Sequence, residues 1–333
     1  MTSMKIKVLD GGLMTTVQDM GRVGYQKYGI IQSGAIDTFS LAVANLAVGN
    51  DTHEAALEMT LKGAMLELKR GIVFVLAGAD MMATIGGIPV PMHRPVLVTQ
   101  DATLVCGGPR HGARTYIAFA GNIDVPKRMA SRSTYMRAGI GGYDGRALKD
   151  GDELTISSDE KITKKLYEIG HKISDTMISV DWFTPRVTTD TTRPIRVTRG
   201  LQADWFTKET LESFFSSKER YRVTVQADRM GYRLMGKTLE LKEPRELISE
   251  PVAFGTVQVA DGKPIVLMAD RQTTGGYPKI AQIAMVDLPR FGQTRAGDTV
   301  SFSEISLAEA ERLYIEQRTL IAKAATAAKL VLG

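Results

Sequence analysis

The sequence has little cysteine and little histidine, and both shortages exclude kinds of site. Among 333 residues there is one cysteine, Cys106, so no internal disulfide can form. The four histidines, His53, His93, His111 and His171, are far apart, and none has a partner at the spacing of metal ligands. We therefore expect neither a disulfide framework nor a metal site, and we expect Cys106 to be an inert small hydrophobe.

The sequence also lacks basic blocks, long apolar runs and an apolar leader. Its 42 Lys and Arg residues are interspersed with 37 Asp and Glu residues, which argues against a nucleic-acid partner. Residues 71–90, the longest apolar stretch, contain Asp80, several glycines and a proline, as strands and turns do and membrane helices do not. Residues 1–9 alternate Lys with Ile and Val, which predicts a strand and not a signal peptide. We expect a soluble cytoplasmic protein with no membrane contact.

What the chain does contain is a series of short apolar runs separated by Gly, Pro, Asp or Asn, as at residues 72–77 and 116–120. This pattern predicts a mainly β fold. Helical periodicity is confined to a few places. Asp37 is a candidate N-cap for a helix that stops at Gly49, residues 207–215 are a second candidate helix, and Ser306 with Glu309 forms a capping box before a C-terminal helix.

The length and the 44% hydrophobic content favour two domains. Between residues 157 and 194 the composition shifts to Lys, Asp, Thr and Ser. A weak internal repeat, in which Gly-Gly-Tyr occurs at 141–143 and again at 275–277, supports a duplicated β architecture. We predict a first β-barrel-containing half at 1–160, a linker or peripheral excursion at 161–193, a second β-barrel half at 194–305 and a C-terminal helix at 306–333.

Residues 231–238 match the pattern of a phosphate-binding P-loop, and we reject that match. A phosphate cradle needs small loop residues and a helix that begins at the lysine, Lys237 here. The loop positions instead carry Tyr, Arg, Leu and Met, and residues 239–244 (LELKEP) alternate like a strand. We predict a turn between strands.

Four polar clusters lie in turn-like segments, at residues 15–22, 32–37, 228–233 and 270–279. Each combines charged, amide or hydroxyl side chains with glycine, so that the backbone can approach a ligand. Guanidinium groups in such clusters bind carboxylate or phosphate oxygens and polarise a carbonyl as charge develops on it. The alternative for each cluster is that its charged residues form local ion pairs that hold loops. The density of the cluster at 270–279 favours a ligand-binding or catalytic role there.

Together with shorter motifs, these clusters resemble the family called allophanate hydrolase subunit 2, also named the biotin-dependent carboxyltransferase or KipA family, which includes the C subunit of bacterial 5-oxoprolinase. The resemblance extends from about residue 5 to the C-terminal helix. Two departures, Ile36 in place of the usual Met and Asn122 in place of a second glycine, leave the pattern recognisable. The motifs that carry it are residues 15–22 (TTVQDMGR), 34–37 (GAID), 44–45 (AN), 49–50 (GN), 56–58 (ALE), 131–134 (SRST), 141–142 (GG), 228–234 (DRMGYRL), 255–258 (GTVQ) and 270–280 (DRQTTGGYPKI).

The resemblance implies two cyclophilin-like β-barrel regions with a few peripheral helices. It also implies an enzyme subunit that is active only with two partner proteins. One partner is similar to KipI or allophanate hydrolase subunit 1, and the other is a protein of the lactam-utilisation type. The implied reaction is the ATP-dependent opening of 5-oxoproline to L-glutamate, with ATP shared with the partner proteins.

Two alternatives stay open. In the first, the chain is the carboxyltransferase component of a urea or amide carboxylase. The sequence has no Met-Lys-Met biotin attachment site, so carboxybiotin would have to come from another protein. The 5-oxoprolinase interpretation needs no biotin, and we prefer it for that reason. In the second, the chain is a KipA-type regulatory protein that binds a KipI-like kinase inhibitor.

Both enzyme chemistries must stabilise an amide or lactam oxygen as it becomes more negative, and both must position an anionic group. We expect the cationic and amide groups to do this and the carboxylates to orient them or to transfer protons. The predicted catalytic residues are Asp228, Arg229, Asp270, Arg271, Gln272 and Lys279. The predicted substrate-binding or cleft-lining residues are Gln18, Asp19, Arg22, Ser33, Asp37, Gln258, Thr273, Thr274, Gly275, Gly276 and Tyr277.

Overall fold

A computed structural model describes residues 2–188, 190 and 192–333 of the chain. The described chain divides into two compact units. The first unit holds the described residues of 1–22, 37–187 and 319–333, and the second those of 23–36 and 188–318. Residues 23–36 thus belong to the second unit although they lie early in the sequence. No helix in the described ranges is long and apolar enough to cross a membrane.

The described strands of the first unit form two seven-stranded sheets. In chain order they are β1 (Thr2–Asp10), β2 (Met14–Gln18), β3 (Ala56–Thr60), β4 (Met65–Leu68), β5 (Val73–Gly78), β6 (Thr84–Ile85), β7 (Ile88–Pro89), β8 (Val96–Val98), β9 (Ala102–Val105), β10 (Arg114–Phe119), β11 (Gly121–Ile123), β12 (Glu153–Ser158), β13 (His171–Ser174) and β14 (Met177–Ser179). The strand order is β11-β12-β1-β4-β9-β6-β7 in one sheet and β13-β14-β8-β5-β10-β3-β2 in the other.

Side-chain periodicity explains how the two sheets pack. In β1 the apolar residues Ile6 and Val8 are fully buried while Lys5 and Lys7 are exposed, because only one face of that sheet covers the core. In β5 and β10 nearly every residue is buried, since helix α1 (Thr38–Ala47) contacts these strands as well. This accounts for the continuous apolar runs of those strands.

Helix α1 confirms the predicted cap and stop. The Asp37 carboxylate accepts hydrogen bonds from Ser40 N at 2.8 Å and from Ser40 Oγ at 2.7 Å, and Gly49 follows the helix with a φ of 79°. A left-handed residue after the last turn is a common way for helices to end, and glycine adopts it without strain.

Residues 161–193, the predicted linker or peripheral excursion, contain regular structure. Helix α2 (Glu160–Ile169) buries Ile162 and Leu166, and β13 and β14 form one edge of a sheet of the first unit. The composition that suggested a linker is that of a surface element, since most side chains of α2 and β13 are exposed or half-buried.

The strands of the second unit form an eight-stranded sheet and a two-stranded ribbon. They are β15 (Ile195–Arg199), β16 (Tyr221–Ala227), β17 (Gly231–Met235), β18 (Glu250–Pro251), β19 (Thr256–Ala260), β20 (Lys263–Leu267), β21 (Thr274–Gly275), β22 (Lys279–Ile283), β23 (Thr299–Val300) and β24 (Phe302–Glu304). The order in the large sheet is β23-β16-β17-β20-β19-β22-β15-β24, and β18 pairs with β21 in the ribbon.

The eight-stranded sheet curls into a nearly closed barrel. Its two edge strands, β23 and β24, are separated in sequence by Ser301 alone, so the opposite edges must meet. The interior holds a cluster of buried aromatic rings, in which Phe214 and Phe302 are stacked with centroids 4.7 Å apart. The prediction of a mainly β fold with few helices is confirmed.

Helices α3 (Lys208–Phe215), α4 (Leu288–Gly292) and α5 (Leu307–Leu332) complete the chain, with short 3-10 turns at Gln26–Tyr28, Met136–Ala138, Ala203–Trp205 and Met285–Asp287. Helix α3 lies within the predicted range 207–215, and Thr207 is its N-cap. Half of the predicted capping box is present: Ser306 Oγ accepts from Glu309 N at 3.1 Å, but the Glu309 carboxylate binds Arg312. Lys237 lies outside any helix, which agrees with the rejected phosphate cradle. Residues 239–244 were wrongly expected to form a strand, because Leu241 makes a single bridge, to Phe206.

Candidate active-site cleft

A cleft of about 610 Å³ lies on the outer face of the barrel in the second unit. Strands β17 and β20 form its floor. Because side chains alternate along a strand, Tyr232 and Leu234 point into the core whereas Arg233 is on the cleft side. The same alternation in β20 buries Val266 in the core and places Ile265 in the lining of the cleft.

The ribbon of β18 and β21 supplies one wall of the cleft. Val252, which follows β18, lines the cleft together with Thr274 and Gly275 of β21. Its backbone N–H donates to Thr273 O at 3.1 Å, so the pairing continues past the strand ends. Eight predicted site residues meet at this cleft: Asp228, Gln258, Arg271, Gln272, Thr274, Gly275, Gly276 and Tyr277.

Arg271 is the buried cation of the cleft. Its side chain lines the cleft although the residue is only 5% exposed. It donates long hydrogen bonds of 3.4 Å from Nε to Val252 O and from Nη1 to Met268 O, and it forms no salt bridge within the described ranges. Burial lowers the pKa of its guanidinium to about 10, while the charge of Asp270 acts in the opposite direction. A cation held this way is suited to receive an anionic ligand.

Gln258 provides an amide beside this cation. Its neighbours Val257 and Val259 belong to the barrel core, so strand alternation places Gln258 on the outer face. The residue lines the cleft, is 4% exposed, and its Nε2 has no hydrogen-bond partner in the part of the chain that the structure describes. A buried amide without a partner costs free energy unless a ligand satisfies it. Gly275 packs against this group, since a Cβ there would lie 2.2 Å from Nε2.

Asp228 brings a carboxylate to the same cleft. Its Oδ1 accepts from the backbone N–H groups of Met230 at 2.8 Å and Gly231 at 3.1 Å, which fixes the turn that leads into β17. The side chain lines the cleft. It is therefore placed to accept a proton or to bind a cationic or N–H group of a ligand.

Asp270 and Arg229, two other predicted catalytic residues, face each other instead of lining the cleft. Arg229 donates from Nε to Asp270 Oδ2 at 2.9 Å and from Nη2 to Asp270 Oδ1 at 3.0 Å. Ser33 Oγ donates to Asp270 Oδ1 at 2.8 Å, and Arg229 Nη2 also donates to Gly34 O at 2.5 Å. Both charged side chains are almost completely buried. This bidentate pair ties residues 23–36 to the barrel of the second unit.

Lys279, the sixth predicted catalytic residue, is also outside the lining of the cleft. Its Nζ lies 2.5 Å from Glu250 Oε1, and its side chain is 5% exposed. Thr273 contributes its carbonyl to the ribbon and does not line the cleft. The structure thus gives Lys279 and Thr273 structural contacts next to the cleft.

Gln18, Asp19 and Arg22 belong to the first unit, where all three bind the segment 131–134. Asp19 accepts from the hydroxyl groups of Ser131 and Ser133 and from the N–H of Arg132. Gln18 Nε2 donates to Thr134 O at 3.2 Å, and Arg22 Nη2 donates to Ser133 O. Two motifs that are far apart in the sequence, 15–22 and 131–134, are therefore one hydrogen-bonded assembly.

Asp37, also in the first unit, takes part in a second buried network. Its backbone N–H donates to Tyr116 Oη at 2.8 Å, and Tyr116 Oη donates to Glu58 Oε2 at 2.6 Å. Burial, with the nearby charges of Glu58 and Asp37, holds the pKa of Tyr116 well above its usual range. The Tyr116 hydroxyl is therefore a permanent hydrogen-bond donor at neutral pH. A ligand role for the four first-unit residues stays a prediction.

Within the described ranges, no group of three or more His, Cys, Asp and Glu side chains is arranged to hold a metal ion. Burial lowers the pKa of His93 to about 4, with the charge of Arg186 adding to the effect, so this histidine is neutral. Burial raises the pKa of the Cys106 thiol to about 12, which makes it unreactive.

Sequence reasoning missed the apolar part of the cleft and the residue that pairs with Lys279. Val225, Val252, Ile265 and Leu267 line the cleft but belong to no polar cluster. The alternation of β20 could have shown that Ile265 and Leu267 lie opposite the core face. No sequence signal marks Glu250.

Comparison with known proteins identifies the class. The family described as carboxyltransferase domain, subdomain A and B, matches residues 28–304. The chain belongs to this family, which confirms the resemblance seen in the motifs.

The chain is similar to the C subunit of 5-oxoprolinase from Escherichia coli, with 37% identity over 94% of this chain and 95% of that protein. The urea amidolyase of Saccharomyces cerevisiae is 31% identical over 98% of this chain but only 18% of its own length. The crystal structure of Kluyveromyces lactis urea carboxylase superposes with a TM-score of 0.84 at 28% identity, covering 96% of this chain and 29% of that one. The chain thus spans nearly all of the bacterial protein and less than a third of either larger protein.

Proposed function

We propose that this chain is the C subunit of a cytoplasmic, ATP-dependent 5-oxoprolinase, which opens 5-oxoproline to L-glutamate together with two partner proteins. The observation that carries the proposal is the buried guanidinium of Arg271. It lines a cleft and forms no salt bridge in the described chain. The similarity to the corresponding bacterial 5-oxoprolinase protein, over nearly the full length of both chains, supports the choice of substrate.

5-Oxoproline presents one carboxylate, one lactam amide and a small apolar ring, and the cleft has a counterpart for each. Arg271 binds the carboxylate through charge-assisted hydrogen bonds. The Gln258 amide binds the lactam group, and Val252, Ile265 and Leu267 contact the ring. Hydrolysis adds water to the lactam carbonyl carbon and breaks its bond to the ring nitrogen, which gains a proton. Asp228 is the carboxylate of the cleft lining that we assign to this proton transfer.

ATP supplies the driving force of this reaction, and we propose that it binds mainly through the partner proteins. Residues 231–238 match the sequence pattern of a phosphate-binding loop, but their structure does not fit a phosphate group of ATP. Residues 231–235 form β17, and Lys237 lies outside any helix, so no helix N-terminus faces a phosphate there. We therefore assign this chain the binding and orientation of the lactam. The partners we propose are a KipI-like protein and a lactam-utilisation-type protein.

A second function is favoured by a specific observation. The urea amidolyase of Saccharomyces cerevisiae matches 98% of this chain, so the same scaffold is part of a protein named for action on urea. In that case Arg271 would bind the carboxylate of carboxybiotin supplied by another protein, and the acceptor would be urea or a related amide.

Omission assays test the proposal. The KipI-like and lactam-utilisation-type partners are assayed for ATP hydrolysis and glutamate release from 5-oxoproline with and without this chain, and in parallel for carboxylation of urea with a biotin carboxylase and biotin carrier. We expect glutamate release only when all three proteins are present. Urea carboxylation without glutamate release would move the assignment to carboxyl transfer. A stable complex with the KipI-like partner but neither activity would indicate a regulatory protein.

Gly275→Ala tests the cleft assignment within this proposal. The new Cβ would lie 2.2 Å from Gln258 Nε2, so the amide must move away from its position. We expect the KM for 5-oxoproline to rise about tenfold, because the displaced amide loses its hydrogen bond to the lactam and such a bond contributes about 0.5–1.5 kcal/mol. Gly108→Ala is the control, because Gly108 belongs to the first unit, does not line the cleft, and its Cβ would meet Leu61 O at an ordinary 3.9 Å, and we expect less than about a threefold change. Equal effects of the two variants would show that Gln258 is not at the site.

A further inference from the structure

Glu250 connects the ribbon to the barrel. Its Oε1 accepts from Lys279 Nζ at 2.5 Å and from Gln202 Nε2 at 2.8 Å. Gln202 Oε1 in turn accepts from the backbone N–H of Lys279 at 3.3 Å. One carboxylate oxygen of β18 is therefore bonded to side chains from two other segments of the second unit. The hydrogen bond from Lys279 holds the pKa of the Glu250 carboxyl below its usual value.

The burial of the Lys279 ammonium group depends on its ion pair with Glu250. Its ammonium group is buried, with 5% of the side chain exposed, and Glu250 is its one salt-bridge partner in the described ranges. A buried ammonium without a counter-charge is strongly unfavourable. The pair therefore fixes the position of Glu250 as firmly as that of Lys279.

The ribbon needs such an anchor. Each of its strands has two residues, with Glu250 opposite Gly275 and Pro251 opposite Thr274. A two-stranded ribbon is only marginally stable by itself even when it is longer than this. Side-chain contacts such as the Glu250–Lys279 pair therefore add to the backbone connections that hold it against the barrel.

The ribbon holds both ligand-binding groups of the cleft in place. Val252, the residue after β18, accepts from Arg271 Nε through its carbonyl at 3.4 Å. Gly275 of β21 packs against the Gln258 amide. A displacement of the ribbon would remove an acceptor from Arg271 and free the amide of Gln258 to rotate.

From these contacts we infer that Glu250 is a positioning residue. Through Lys279 it holds the ribbon, and through the ribbon it aligns Arg271 and Gln258 in the cleft. This also explains why Lys279 lies in the densest polar cluster of the sequence without lining the cleft. The kinetic part of the inference rests on the proposed function, whereas the structural part does not.

Amide hydrogen exchange tests the structural part on the full chain. In Glu250→Gln we expect exchange in residues 249–252 and 273–276 to be at least about tenfold faster than in the unsubstituted chain, with β16 and β17 unchanged. Glu243→Gln is the matched control, because it removes an exposed carboxylate that pairs with Arg245. Both residues lie in the segment that connects β17 to β18. Unchanged exchange in Glu250→Gln would overturn the inference.

The double variant Glu250→Met, Lys279→Met keeps the test decisive if Glu250→Gln does not fold. It leaves no unpaired buried charge, so we expect it to fold, still with fast exchange in the ribbon. Slow exchange in the folded double variant would contradict the anchoring role.

Kinetics on the assembled complex test the positioning part. We expect Glu250→Gln to raise the KM for 5-oxoproline about tenfold with kcat changed less than about threefold, and Glu250→Asp to recover most of that loss. An equal fall in kcat with no change in KM would overturn this part. If the unsubstituted complex does not open 5-oxoproline, the proposed function fails, and the exchange measurements still decide whether Glu250 anchors the ribbon.

Discussion

Arg271→Met is expected to reduce the kcat/KM of the assembled complex for 5-oxoproline about a hundredfold, because hydrogen bonds to a charged group contribute about 1.5–3 kcal/mol and the substrate carboxylate would lose them. The variant keeps the length and apolar character of the side-chain stem, so the cleft retains its shape. Arg222→Met is the control, since Arg222 is exposed on β16 and does not line the cleft. Equal activity of Arg271→Met and the unsubstituted chain would remove Arg271 from the site.

Stability distinguishes a ligand-binding role of Arg271 from a structural one. Because burial lowers the pKa of Arg271 to about 10, well below its ordinary value, the unfolded chain binds its proton more tightly than the folded chain does. The charge therefore costs stability at every pH below about 10, and this cost disappears as pH rises from about 10 toward the ordinary pKa of a guanidinium. Arg271→Met is expected to melt at the same temperature as the unsubstituted chain or higher. A clear fall in melting temperature would indicate a structural role.

Arg229→Met is expected to have the largest effect on stability. It leaves the buried Asp270 carboxylate without its bidentate partner, which costs about 3–5 kcal/mol in the free energy of unfolding. The double variant Arg229→Met, Asp270→Leu removes both charges and is expected to lose much less than the sum of the two single variants. Urea unfolding followed by the fluorescence of Trp205 reports on the second unit when Trp182 is replaced by Phe.

An exposed ion pair serves as the control for the buried pair of Arg229 and Asp270. Lys208→Met breaks an ion pair with Glu212 on α3 in which both side chains are mostly in solvent, and we expect a loss of about 0.5 kcal/mol or less. If Arg229→Met is no more destabilising than Lys208→Met while abolishing turnover, then Arg229 and Asp270 act in catalysis, as their motifs suggest, and not in holding residues 23–36.

Much of the fold could be predicted because its signals are local. Asp37 and Ser306 cap their helices as expected, and the short apolar runs at residues 72–77 and 116–120 largely coincide with strands β5 and β10. Helix α2 escaped prediction because only Ile162 and Leu166 are buried in it. The assignment of residues 23–36 to the second unit depends on the contacts of Ser33 and Gly34 with Asp270 and Arg229, which are remote in sequence.

The candidate site was predicted in composition but not in arrangement. Asp270 and Arg271 are neighbours in one motif, yet one is bonded to Arg229, 41 residues away, and the other lines the cleft. Residue type cannot show which of the two residues lines the cleft. Asp270 is held away from the cleft by Arg229, and Arg229 lies outside the motif at 270–279. Lys279 was predicted to be catalytic because it lies in the same motif as Arg271. Its ion-pair partner, Glu250, belongs to no motif, so the pair could not be predicted.

The most direct test of the central claim pairs a change in the substrate with a change in Arg271. The assembled complex is assayed with 5-oxoproline and with its carboxamide, in which the carboxylate is replaced by a neutral amide, using the unsubstituted chain and Arg271→Met. We expect kcat/KM to fall about a hundredfold from acid to amide with the unsubstituted chain, and to be nearly equal for the two substrates with Arg271→Met. The same preference for the acid with Arg271→Met would show that another group binds the carboxylate, and would contradict the assignment of this cleft.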